Sequence, residues 1–263
     1  MPFKFSELLT TNAKLKKGSK RYSARGVALA PHKMSGKNLC PSAGACAAMC
    51  VLWFAGRTVM RSVRNAMLER SRMFLEARQE FYDRLISETE KHVRQCGKHA
   101  KACVRLNVAS DLPWERIFPA LFDRFPTVSW YDYTKIQSRI EAAIRGEMPR
   151  NYSLTYSINE RTPKGFARHC LEHGINVSLV VDAAWNPQRG IKGKIPATIA
   201  IDGKRFPTID GDEHDVRIPE LDGVGVVVVL RGKGGIAKVL DGVTAGFVRR
   251  VQGGRFSTHE FAK

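Results

Sequence analysis

Three of the chain's six cysteines fall within eleven residues, in the stretch Leu39-Cys40-Pro41-Ser42-Ala43-Gly44-Ala45-Cys46-Ala47-Ala48-Met49-Cys50. The spacing, C-x5-C-x3-C, places Cys40, Cys46 and Cys50 on one short segment of small residues. Thiolates held so close repel one another unless a cation or an iron–sulfur cluster lies between them, so the triad reads as a soft-metal site. Cys96, Cys103 and Cys170, each alone in an apolar setting, read as core thiols. A structural zinc wants four protein ligands, commonly from two knuckles, and here His32 or a distant cysteine would have to supply the fourth. A 4Fe–4S cluster on three thiolates leaves one iron open to an outside ligand. The ligand count favours the cluster, with zinc as the alternative.

The elements around the loop must position it. Residues 26–30 predict a short buried strand stopped by Pro31, directly before the cysteines. Residues 58–95 contain no Gly or Pro and repeat apolar side chains at helical spacing. At about 1.5 Å per residue that span would exceed an ordinary globular helix, so a bend or two helices are expected. Strand, loop and helix then alternate: strands at 103–108, 127–133, 152–158 and 177–181, helices at 114–124, 136–144 and 165–173. Ser110 or Asp111 is placed to cap the helix at 114. The pattern predicts an α/β fold, a partial or irregular parallel (βα) barrel. From about 195 the character changes to strands at 196–201, 205–209 and 223–230 joined by Asp-Gly turns, a β-rich C-terminal extension. The organisation expected is a basic N-terminal arm over 1–26, with a short helix near 6–9, and one domain over 27–263.

In such a barrel the polar residues that follow each strand gather on one rim, where active sites form. The rim would receive the three cysteines, then Asn107, Ser110 and Asp111, then Tyr133, Thr134 and Lys135, then Ser157 and Asn159, and finally Asp182 with Trp185 and Asn186. Asp111, Tyr133 and Lys135 are the candidate catalytic groups, and Asn107, Ser110, Asp111, Ser157 and Asp182 the candidate cofactor contacts. Lys135 opens a helix, where the macrodipole disfavours a cation, so an anion is expected beside it. The run Asp210-Gly211-Asp212-Glu213-His214-Asp215 is either a divalent-cation loop or a polar turn.

Net charge is +18, and residues 1–68 carry twelve Lys/Arg against one acid, Glu7. An excess of that kind fits a nucleic acid or another polyanion as partner, or a highly solvated surface. No apolar run is long enough to cross a bilayer, and the amino terminus lacks the apolar stretch of a secretory signal. A cytoplasmic location is expected, that of the host if the chain is phage-encoded, where thiols stay reduced. No P-loop, G-x-S-x-G or strand-linked G-x-G-x-x-G occurs, which argues against NTPase, hydrolase and Rossmann chemistry.

Taken together, Asn12-Ala13-Lys14-Leu15, the loop Leu39–Cys46 with Cys50, Asn65, Arg105 with Ser110-Asp111, and Tyr131-Asp132-Tyr133-Thr134-Lys135 resemble the bacteriophage gene product 88 family. Asp210-Gly211-Asp212 and Gly232-Lys233-Gly234 extend the likeness. A looser likeness is to the radical S-adenosylmethionine enzymes, which carry a three-cysteine loop after the first strand of a partial barrel. The turn Ala109-Ser110-Asp111-Leu112-Pro113 is similar to the turn with which those enzymes hold the methionine amine. That resemblance implies a cluster on Cys40, Cys46 and Cys50, S-adenosylmethionine on its open iron, and Ser110 and Asp111 orienting the amine. Their usual spacing is C-x3-C-x2-C, and this chain departs from it.

Overall fold

In the computed structural model of the chain, the residues described are 3–12, 15–16, 21–54, 56–182, 195–233, 236–249, 251–252 and 255–256. Ten strands form one sheet: β1 (Leu9–Thr10), β2 (Tyr22–Val27), β3 (Lys101–Arg105), β4 (Ser129–Thr134), β5 (Tyr152–Ser157), β6 (Val177–Val181), β7 (Thr198–Ile201), β8 (Lys204–Asp210), β9 (Val227–Arg231) and β10 (Val248–Arg249). Their order is β1-β2-β3-β4-β5-β6-β9-β8-β7, with β10 also on β6. From β2 to β8 every pairing is parallel, while β1 and β7 add antiparallel at the two ends. The expected mixed α/β fold with a parallel sheet is therefore present. Its two ends are not joined among the described residues, so the sheet is open rather than a closed barrel.

The helices are α1 (Val51–Phe54), α2 (Arg61–Glu76), α3 (Arg78–Cys96), α4 (Trp114–Ile117), α5 (Ala120–Arg124), α6 (Gln137–Ile144), α7 (Phe166–Glu172), α8 (Pro219–Asp222) and α9 (Ile236–Thr244). None is long and apolar enough to cross a membrane among the described residues. The long helical stretch is two helices, as its length requires, and they part at Ala77 (φ −132°, ψ 60°). Neither Gly nor Pro causes the break. It lets Phe74 and Phe81, from either side of it, both reach Trp114, at 5.3 and 6.0 Å between ring centroids.

Alternation along the strands separates two faces. Ala102, Val104, Trp130, Leu154, Tyr156, Val177, Leu179, Val227 and Val229 join the main core with the helices. The opposite face carries Ala24, Cys103 and Tyr131, packed against Val216 and Ile218 of the crossover between β8 and β9. That crossover brings charge with it. Asp215 accepts two hydrogen bonds from Arg105 Nη1 (2.9 and 3.1 Å) and one from Tyr131 Oη (3.2 Å). Arg217, also buried, is paired with Asp222 at 2.8 and 3.0 Å. Asp210 and Asp212 of the acidic run meet Arg231, and Glu213 is exposed.

Several sequence-based expectations change here. Residues 9–10 and 22–27, expected in a basic arm, are strands of the sheet, and residues 6–8 form no helix. Strand β2 begins at Tyr22 rather than at 26, because it pairs along β3 from Lys101 to Arg105. The helix expected at 114–124 divides into α4 and α5 around Pro119. The β-rich C-terminal extension divides between a hairpin and the parallel sheet. Strands β7 and β8 form a hairpin through Asp202 and Gly203, both with positive φ, while β9 extends the parallel sheet.

Candidate functional site

The carboxyl ends of the parallel strands lie on one edge of the sheet, which is where open α/β sheets bind ligands. The cysteine loop leaves β2 and is fastened at both ends to that edge. Asp111 donates its backbone N–H to Leu39 O (2.9 Å), and the Cys40 thiol donates to Ala109 O (3.3 Å). His32 N donates to Cys40 Sγ at 3.2 Å. Farther along, Ala45 N donates to Glu160 Oε1 (2.8 Å) and Asn159 Nδ2 to Ser42 O (3.4 Å). The loop thus bridges the turn after β3 and the turn after β5. Gly44 sits at φ +53°, and a Cβ there would strike the Glu160 carboxylate.

Asn107 organises the turn after β3. Its Oδ1 accepts from Ser110 Oγ (2.8 Å), Leu112 N (2.9 Å) and Trp114 Nε1 (2.9 Å). Its Nδ2 donates to Leu112 O and to Asp132 Oδ2, each at 3.0 Å. Ser110 and Asp111 therefore do not cap α4, whose N-cap is Pro113 without a side-chain bond. Asp111 instead accepts from Thr134 Oγ1 (2.7 Å), from the backbone N–H of Lys135 (2.8 Å) and from Arg139 Nη1 (3.4 Å). It ties the end of β4 to the cysteine loop.

Lys135 reaches the same place. Its Nζ lies 5.8 Å from the centre of the Phe247 ring. Burial pulls the ammonium down, but Cys46, Asp111, Cys40 and Cys50 acting together leave it raised. The three sulfurs also act on one another. Burial pushes Cys40 up to about 11 and Cys50 to about 12, the other thiols add to the rise, and Lys135 opposes it. The anion expected beside Lys135 is Asp111, which accepts its backbone N–H, while Cys40 and Cys50, pushed up by burial, stay protonated.

Three soft donors beside an ammonium suit a soft metal or a cluster in donor type. Glu160 Oε2 is buried beside Gly44 with no hydrogen-bond partner, while Oε1 of the same carboxylate accepts from Ala45 N and lies 3.6 Å from Arg161 Nε. The coordination set is not assembled, however. Among the described residues no group of three or more His, Cys, Asp or Glu side chains is arranged to hold a metal ion, and all six cysteines are free. The same finding covers the acidic run 210–215, in which Asp210, Asp212 and Asp215 pair with arginines. Cys96, Cys103 and Cys170 are buried, as core thiols should be.

The remaining candidates divide. Tyr133 points to the crossover face, its ring 4.8 Å from the Arg105 guanidinium and its buried hydroxyl without a hydrogen-bond partner. Burial pushes that hydroxyl up to about 12. Ser157 closes β5 opposite Ser178 of β6, and Asp182 follows β6, donating its backbone N–H to Arg249 O (2.8 Å). Trp185 and Asn186, also expected on the rim, lie outside the described residues. Sequence reasoning did not single out Glu160, Arg139 or Glu115. Arg139 is buried on α6 and bonded to Glu115 at 3.0 and 2.8 Å and to Tyr152 Oη at 2.9 Å. Its signal was available: an arginine beside Ile140 on the face of a short apolar helix must be paired.

Fold and rim define a class: a mixed α/β protein whose open, mostly parallel sheet carries a cysteine loop at its strand ends. The chain belongs to the gene product 88 family, whose model matches residues 5–251. Comparison with curated proteins and with solved structures gave no match.

Proposed function

We propose that this gene product 88 protein is an iron–sulfur protein that holds a 4Fe–4S cluster on Cys40, Cys46 and Cys50. Its chemistry is of the radical S-adenosylmethionine kind, directed at a nucleic acid or nucleotide in the host cytoplasm. The observation carrying the reading is geometric: the three-cysteine loop is fastened at Leu39, Cys40 and Ala45 to the strand ends, next to the turn in which Asp111 holds the backbone of Lys135. A cluster held by Cys40, Cys46 and Cys50 would, once reduced by an external one-electron donor, supply the electron for cleaving a sulfonium cofactor. Binding would require the three sulfurs to draw together on a loop whose bonds to the sheet edge fall at Leu39, Cys40, Ser42 and Ala45. Lys135 balances the anionic sulfurs, and Asp111 fixes the backbone that presents it. Asn107 and Ser110 hold the turn after β3 against which a cofactor would lie, and Ser157 and Asp182 stand at the carboxyl ends of β5 and β6 along the same sheet edge.

Anaerobic purification followed by iron and sulfide analysis tests this. The expected result is a coloured protein with iron and sulfide in equal amounts, lost in Cys46→Ser. Protein that stays colourless and iron-free after reconstitution overturns it. Stoichiometric zinc in that iron-free protein, with salt-dependent nucleic-acid binding, would instead establish a structural zinc in a non-enzymatic nucleic-acid-binding protein.

A further inference from the structure

Among the described residues six large apolar side chains are exposed, and four of them, Met34, Phe54, Val59 and Met60, lie on the excursion from 31 to 60 that carries the cysteines. Natural surfaces scatter such residues singly, and a concentration of them marks an interaction site. The excursion contains Lys33, Lys37 and Arg57 but no Asp or Glu, and Arg61 follows at once. Lys33, Lys37 and Arg61 are exposed, and none makes an ion pair among the described residues. The excursion is nonetheless well supported from beneath. Ala30, Trp53 and Met67 pack with Ala109, and Arg64 bonds to Trp53 O (2.8 Å) and Thr58 O (2.7 Å).

We propose that this excursion is a docking surface for single-stranded nucleic acid, with phosphates on Lys33, Lys37 and Arg61 and bases against Phe54 and its apolar neighbours. The inference deepens the nucleic-acid part of the function proposed above and does not need the cluster. Unpaired cations call for an anion, and exposed apolar side chains call for flat apolar faces. A single strand offers both at once, whereas a duplex keeps its bases stacked on each other. An anionic membrane surface is the rival partner. It is usually met by an amphipathic helix, and here the only α-helix among the described residues of the excursion is the four-residue α1.

The test is fluorescence anisotropy with a labelled single-stranded oligonucleotide, titrated with full-length protein over a series of salt concentrations. Lys33→Glu, Lys37→Glu and Arg61→Glu together should weaken binding at least about ten-fold and flatten the plot of log affinity against log salt by about two. A control carrying Arg94→Glu, Lys98→Glu and Lys164→Glu, exposed elsewhere, should fall far less. Phe54→Ala should weaken binding about five-fold or more and leave the salt slope unchanged. Equal losses in both triple variants, tighter binding to duplex of the same sequence, or binding only to phosphatidylserine vesicles would each overturn the proposal. Repeating the titration on metal-free Cys46→Ser separates the two readings: binding retained there supports docking whatever the metal analysis finds.

Discussion

Arg139 is buried to 1 % exposure, and its guanidinium answers Asp111, Glu115 and Tyr152 together. Removing one partner of such a group leaves the others charged and dry, so Arg139→Met should cost about 3–5 kcal/mol in urea unfolding, with Arg139→Lys recovering only part. Asp132 behaves differently. Burial pushes its carboxyl from 3.8 up to about 7, although Tyr152 and Asn107 donate to it. The folded chain therefore keeps a proton that the unfolded chain releases near pH 4, so stability falls as pH rises from about 4 to 7. Relative to Asp132→Asn, the parent should lose roughly 1.4 kcal/mol per pH unit across that window, and a flat difference would contradict the assignment. At Gly44 the positive φ and the crowding by Glu160 act together. Gly44→Ala should release Ala45 from Glu160 and speed iodoacetamide labelling of Cys46, measured by mass spectrometry. Residue types marked Asn107, Asp111 and Lys135 as rim groups before any fold was known. Their partners were not legible, because Asp111 draws its contacts from the end of β4 and from α6, and Asn107 bonds across its own turn to Trp114 and to Asp132 of β4.

The helix–strand sequence from residue 101 to 181 was legible because each strand there is buried on both faces and bounded by turns. Strand β2 was misplaced for a physical reason. Its first residues, Tyr22-Ser23-Ala24-Arg25, are polar enough to read as an arm, and only β3 alongside makes them a strand. The break at Ala77 was equally invisible locally, since what drives it is aromatic packing around Trp114. Packing between neighbouring elements is close at Gly26. A Cβ there would run into Val108 Cγ2 and lie 3.0 Å from Arg105 O. Gly26→Ala should destabilise the protein by about 1–3 kcal/mol by overpacking, and adding Val108→Ala should recover part of that loss in the same denaturation assay.

On the scale of the molecule, a net charge of +18 opposes compactness through self-repulsion. Raising salt from about 20 to about 200 mM should therefore raise the melting temperature by about 2–4 °C in calorimetry, the reverse of what a protein held by surface ion pairs would show. The family match runs through residue 251, and so takes in the C-terminal strands as well as the cysteine loop. The crossover over the sheet has a consequence for biosynthesis. Asp215 leaves the ribosome 110 residues after Arg105. At a translation speed of about 5–20 residues per second, the nascent polypeptide spends several seconds with a guanidinium stranded on an unfinished interior. Chains stalled just short of Asp215 should be digested by protease on the ribosome, and chains stalled well past Arg249 should resist. The protein therefore acquires its protected state late, and nearly all at once.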